Sequence, residues 1–178
     1  MGAELVVTGD GVARMRKLGI ALRGQDKALR AELLAASRKA AAPIVADVRA
    51  AVQGIQVTGS VGGGTFARAK YAKRKPRGGH GLRSTIAAAT GSRARVGGKY
   101  AGVQIVVNAK KLPPDQASLP WALDSPPGWR HPVFGQDVWV KQQGQPWFAV
   151  TIRRHQAAVQ AQIGAAMDAT TEKLTKIT

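Results

Sequence analysis

Residues 128–148 read GWRHPVFGQDVWVKQQGQPWF and hold three of the four tryptophans and two of the three phenylalanines of a chain otherwise rich in alanine, glycine and basic residues. Trp129, Phe134, Trp139, Trp147 and Phe148 each carry a large apolar area, so a packed aromatic centre is expected here. Pro132, Gly135, Gly144 and Pro146 break their spacing and set turns between short extended pieces, which predicts an irregular β segment with a strand over Val138 to Val140. Trp139 alternates with Val138 and Val140 and is predicted to pack inward. Trp129, between Gly128 and Arg130 in a turn bounded by proline, is predicted nearer the surface. Pro146 suits a first helical position, because its missing N–H is not needed there and its φ is already helical, so the stretch should end by launching a terminal helix.

Downstream, Phe148, Ile152, His155, Val159, Ile163, Met167, Thr170, Leu174 and Ile177 recur at intervals dominated by three and four. That spacing predicts an amphipathic helix over 147–177, roughly 45 Å long. Its length suggests that the distal half packs on another chain or ends in a frayed, solvated terminus. Upstream, Lys110 to Pro127 is proline-rich and irregular, with Leu119, Trp121, Ala122 and Leu123 as an expected anchor onto the core. Arg93 to Val96 and Val103 to Val107 read as a hairpin turning through 97–102, with Val103, Ile105 and Val107 on the face that covers a long helix. Leu82 to Ala89 reads as a short helix.

The N-terminal third supplies that long helix. A short strand is expected within residues 5–8, and Asp10 is a fitting N-cap for a helix bearing Val12, Met15, Leu18 and Leu22 on one side, with Gly24 ending it. From Asp26, the positions Leu29, Leu33, Ala36, Ala40, Ile44, Val48 and Val52 mark a narrow apolar stripe running to Gln53, with Gly54 as the stop. Pro43 lies inside this pattern and predicts a kink or break near Lys39 to Ala42. The reading is a single α+β domain over 1–178, with long amphipathic helices packed on a small antiparallel sheet and a Gly-rich basic loop. Within it, 11–53 holds the N-terminal helices, 54–81 a flexible basic segment, 82–146 the short helix, strands and aromatic segment, and 147–177 the C-terminal helix.

Charge is the loudest global signal: 27 Lys and Arg stand against 10 Asp and Glu, a formal net charge of +17. Between Val48 and Pro114 there is no acidic residue, while thirteen Lys or Arg occur. Such a field favours a polyanionic partner or neighbour. Arg68, Lys70, Lys73, Arg74, Lys75 and Arg77 cluster in this interval beside Gly62, Gly63 and Gly64, with Phe66 and Tyr71 interleaved. The cluster fits a solvated loop, an arm on nucleic acid, or contact with an acidic neighbouring subunit.

Catalytic and cofactor patterns are not supported. The run Gly62-Gly63-Gly64-Thr65 lacks the Gly-Lys-Ser/Thr spacing of a P-loop. His80, His131 and His155 show no metal-ligand spacing, and His155 on an apolar stripe reads as a structural, hydrogen-bonded histidine. Ser84 and Ser118 lack a nucleophile-elbow context, and Asp115, Asp124 and Asp137 show no paired spacing for acid/base work. No enzyme activity, cofactor or metal is expected. With no cysteine, thiolate chemistry is excluded. No stretch approaches the ~20 apolar residues that span a bilayer, so no membrane partner is expected and a soluble, cytosolically made protein is.

The run Trp129-Arg130-His131-Pro132-Val133-Phe134-Gly135, then Trp139-Val140, then Gln145-Pro146-Trp147-Phe148 before a long helix, resembles the neck or tail-completion proteins of siphophages, in their actinobacteriophage version. Gly81-Leu82-Arg83-Ser84-Thr85-Ile86 and the preceding long helix also fit that family's order of elements. The resemblance implies a structural virion protein of the head-to-tail junction, in a ring around the DNA channel at the top of the tail. The ring would be hexameric. Its implied partners are neighbouring connector, tail-terminator or tail-tube proteins, with genomic DNA in the lumen as a further candidate. The basic segment from Gly59 to Gly81 is longer than the family's usual connection. The residues by themselves also fit a basic nucleic-acid-binding module of ribosomal or nucleoid type, to which the run AKYAKRKPRGG points.

Overall fold

In the second helix, buried Leu29, Leu33, Ser37, Ala40, Ala41, Ile44, Val48 and Val52 follow one another at steps of mostly three and four, which on a 3.6-residue repeat is a single stripe. A computed structural model describes residues 4–5, 10–23, 27–55, 81–98, 100–132 and 139–177. The helices are α1 (Asp10–Ala21), α2 (Lys27–Gly54), α3 (Leu82–Ala89), α4 (Leu119–Asp124) and α5 (Phe148–Ile177). The strands are β1 (Glu4–Leu5), β2 (Thr90–Arg95), β3 (Gly102–Val107), β4 (Trp129–Pro132) and β5 (Trp139–Gln142). The chain has the α+β fold expected of it, long helices on a small antiparallel sheet; the Gly-rich basic loop lies outside the described residues.

Ser37 takes the stripe position that Ala36 was expected to fill, and its hydroxyl is satisfied by donating to the Leu33 carbonyl at 2.7 Å. The helix does not break at Pro43: α2 runs unbroken from Lys27 to Gly54. Pro43 lies on the exposed side, so water can satisfy the Lys39 carbonyl that loses its N–H partner. Ala40, Ala41 and Ile44, all buried, hold the helix on both sides of the proline.

α5 runs antiparallel to α2, with Asp47 Oδ2 meeting His155 Nε2 at 2.7 Å near one end and Glu32 paired with Lys173 near the other. α1 lies beside the distal half of α5, where Arg14 pairs with Asp168. That distal half was expected to need a second chain. Instead Val159, Ile163 and Met167 are buried within the chain, in one core with Met15, Leu18, Leu22, Leu29 and Leu33, and Thr170 is buried one turn further on. Two helices share the work of covering it, because α2 is nearly as long as α5 and α1 fills the remaining side.

The main sheet has the order β1-β3-β2, all antiparallel. Register places Thr90 opposite Val107, Ser92 opposite Ile105 and Ala94 opposite Val103, so these six share the face toward the core. Val103, Ile105 and Val107 join the core cluster as predicted, and α2 packs on β2 and β3. The turn between β2 and β3 presses on α1: a Cβ on Gly19 would lie 2.5 Å from the Gly97 backbone nitrogen. β4 and β5 form a separate two-stranded ribbon instead of extending this sheet.

Candidate interaction surfaces

The aromatic centre divides into an inside and an outside. Trp147 and Phe148 are 3% exposed and meet edge to face, with ring centroids 5.4 Å apart at 73°. They start α5 under the control of α4: Asp124 Oδ1 accepts from the backbone N–H groups of Trp147 at 2.7 Å and Phe148 at 2.8 Å. A carboxylate at a helix N-terminus satisfies orphan donors and complements the helix dipole. α5 therefore begins at Phe148, one residue after the expected start, and Asp124 rather than Pro146 supplies the bonds that fix it. Beside this cap, the Gln145 N–H donates to the Leu123 carbonyl at 2.8 Å, and a Cβ on Gly144 would fall 2.0 Å from the Ser125 oxygen. Gly128, at φ +67°, lets the ribbon start against the Gln142 carbonyl.

The ribbon reverses the expected placement of its two tryptophans. Trp129 opposes Gln142, and both are half-buried, Trp129 packing against the core. Arg130 opposes Lys141 and Pro132 opposes Trp139, so Trp139 shares the outer face with Arg130 and Lys141. Trp139 is accordingly 55% exposed. Period two from Lys141 already places Trp139 on the charged side, a signal outweighed by its valine neighbours in the linear reading. Phe134 lies outside the described residues. Trp121, expected to help anchor its segment, is 64% exposed, and α4 is held instead by buried Pro120 and Leu123.

Arg68, Lys70, Lys73, Arg74, Lys75 and Arg77 also lie outside the described residues, so no geometry attaches to the basic cluster. What the structure brings together at its roots, Ile55 and Gly81, was not singled out in the sequence. Arg83 Nη1 donates to the Gln53 carbonyl at 3.2 Å and to the Ile55 carbonyl, closing the C-terminal end of α2. Arg49 donates through Nε at 3.3 Å and Nη2 at 2.8 Å to the Thr90 carbonyl. Arg49, Gln53, Ser84, Ala87 and Ala88 line an open groove of about 450 Å³ between α2 and α3. Only the acid-free interval hinted at this site.

His155 is the structural histidine expected, held by Asp47, while His80 lies outside the described residues. Among the described residues there is no group of three or more His, Cys, Asp or Glu able to hold a metal ion. No helix among them is long and apolar enough to cross a membrane. No family model matches the chain, and no match to it was found among curated proteins or solved structures.

Proposed function

We propose that this chain is a structural subunit of the head-to-tail junction of a siphophage, a neck or tail-completion protein that takes a place in a virion ring around the DNA channel and joins tail to head. The observation that carries the reading is the outward Trp139, on a ribbon inside the stretch 129–148 whose sequence resembles these proteins. A large aromatic side chain left in solvent beside a well-filled core suits a contact surface, and Arg130 and Lys141 around it give the mix of aromatic and cationic groups that interface patches use. Trp121 adds a second exposed anchor on α4, which is tied to the base of the ribbon. In this reading the ring contacts use the ribbon and α4, because the apolar stripe of α5 is already covered by α1 and α2.

A ring of six copies, the number implied by tail symmetry, needs heterologous contacts in which one patch meets a different one. Electron cryomicroscopy of the intact neck, with subunit stoichiometry from mass spectrometry, tests the proposal. Six copies in a closed ring are expected; absence from the particle, or a lone copy on its outside, overturns it. A second reading, a basic nucleic-acid-binding module, is favoured by the net charge of +17. It requires tight duplex or RNA binding by the free monomer together with absence from particles.

A further inference from the structure

We infer that the groove between α2 and α3 seats a phosphate of a nucleic-acid backbone, with Arg49, Gln53 and Ser84 as its contacts. These three polar residues line the groove with Ala87 and Ala88, and among the described residues no carboxylate lines it. Arginine, glutamine and serine side chains are among those that bind phosphate oxygens in nucleic-acid complexes. The Arg49 guanidinium is already oriented by two hydrogen bonds to the Thr90 carbonyl. Five N–H donors are available to an arginine, so its remaining ones are free for an anion without reorganisation.

Charge at this end of the molecule singles out the occupant. Pairing of Asp47 with His155 brings the end of α2 to the start of α5, and exposed Arg153 and Arg154 stand on that start. Among the described residues, no carboxylate pairs with Arg49, Arg83, Arg153 or Arg154. The ribbon just before α5 sets Arg130 directly opposite Lys141, a like-charge pair that costs stability unless an anion lies between them. Ile55, whose carbonyl accepts from Arg83 Nη1, ends the described residues beside this groove, one position after α2. The inference does not depend on ring assembly: a particle lacking the protein would overturn the proposed function and leave this site untouched.

The test uses the full chain and a fluorescein-labelled DNA duplex of generic sequence, with affinity followed against salt. Each phosphate contact contributes about 0.9 to the magnitude of the log–log slope. Arg49→Gln should lose about that much, Arg49→Lys should keep the slope, and Arg30→Gln, an exposed change of equal charge near the other end of α2, should leave it intact. Equal losses in Arg49→Gln and Arg30→Gln, or a loss in neither, overturn the site. Because Arg49 also braces β2, labelling of the unaltered chain with p-hydroxyphenylglyoxal supplies a readout that needs no variant. Saturating duplex should shield Arg49 but not Arg30; labelling of Arg49 unchanged by duplex, or shielding by polyglutamate and not by duplex, overturns the inference, the latter in favour of an acidic protein neighbour.

Discussion

At the scale of single residues, the two tryptophans of the aromatic stretch that look most alike in sequence separate sharply. Trp147 is buried at the start of α5 against Phe148, whereas Trp139 stands outside on the ribbon. Trp147→Ala should cost about 3–5 kcal/mol, a large share of the ~5–15 kcal/mol that stabilises a domain, and Trp139→Ala should stay within about 0.5 kcal/mol. Denaturant melts of the two variants decide the point, and equal losses would contradict the assigned faces. Asp124→Ala removes a carboxylate that accepts two N–H groups and should cost about 0.5–2 kcal/mol, with faster amide exchange confined to the first turn of α5. Gly19 is a third such point, since a methyl group there meets backbone that cannot rotate away. Gly19→Ala should destabilise by about 1–3 kcal/mol, and a neutral result would mean that α1 shifts freely on the β2–β3 turn.

At the scale of elements, α2 tolerates Pro43 because its apolar stripe is anchored on either side and the missing bond falls on the solvated side. Pro43→Ala restores an N–H and removes a ring, so it should raise stability by no more than the ~3 kcal/mol that an interior proline costs a helix. A lower melting temperature would show that the packing of α2 on β2 and α5 relies on the proline's backbone. The α2–α5 pair also makes the distal half of α5 part of the core. Amides from Val159 to Met167 should exchange about as slowly as those of α2 around Leu33 to Val48, in a subunit at low concentration. Fast exchange there, slowed only by raising the concentration, would return this half of α5 to an interface between chains. The Glu32–Lys173 pair, half-exposed on both sides, clamps the far end only weakly; a double-mutant cycle should give about 0.2–1 kcal/mol, falling with salt.

At the scale of the whole molecule, the three-stranded sheet and all five described helices contribute to one apolar core, while two tryptophans and an excess of cations remain outside it. That division separates what holds the subunit from what it offers to neighbours. Trp139→Ala should therefore leave the isolated subunit intact and lower its incorporation into particles, measured by quantitative mass spectrometry of purified virions. Normal incorporation would remove the ribbon from the proposed ring contacts. The basic cluster acts at this scale too: replacing Arg68, Lys70, Lys73, Arg74, Lys75 and Arg77 with Gln should flatten the salt dependence of duplex binding by a slope of roughly 5 if all six meet phosphates. An unchanged slope assigns the cluster to solvent or to protein neighbours.

The longer elements of this chain were legible in its sequence because local periodicity specifies them: α2 and α5 by recurrence at three and four, α3 and the β2–β3 hairpin by short patterned runs between glycines; α4, read as an irregular anchor, and β4, read as a turn, are too short to carry such a pattern. The end of α2 was legible as well, since Gly54, expected as its stop, is its last residue, whereas Asp10, expected to cap α1 from outside, is its first helical residue. What the linear pattern could not supply is which surfaces meet. Whether α5 needed a second chain depended on α1 and α2 reaching its distal half, a matter of chain path rather than of the helix's own residues. The start of α5 was fixed by Asp124, more than twenty positions upstream, and the orientation of Arg49 by the carbonyl of Thr90. Trp139 shows the limit most plainly: its valine neighbours suggest a buried strand, but the face it takes is set by pairing with β4, which puts Arg130 and Lys141 beside it and leaves the ring in water. Hydrophobic periodicity is a property of one segment, whereas burial is a property of two, and only the folded chain supplies the second.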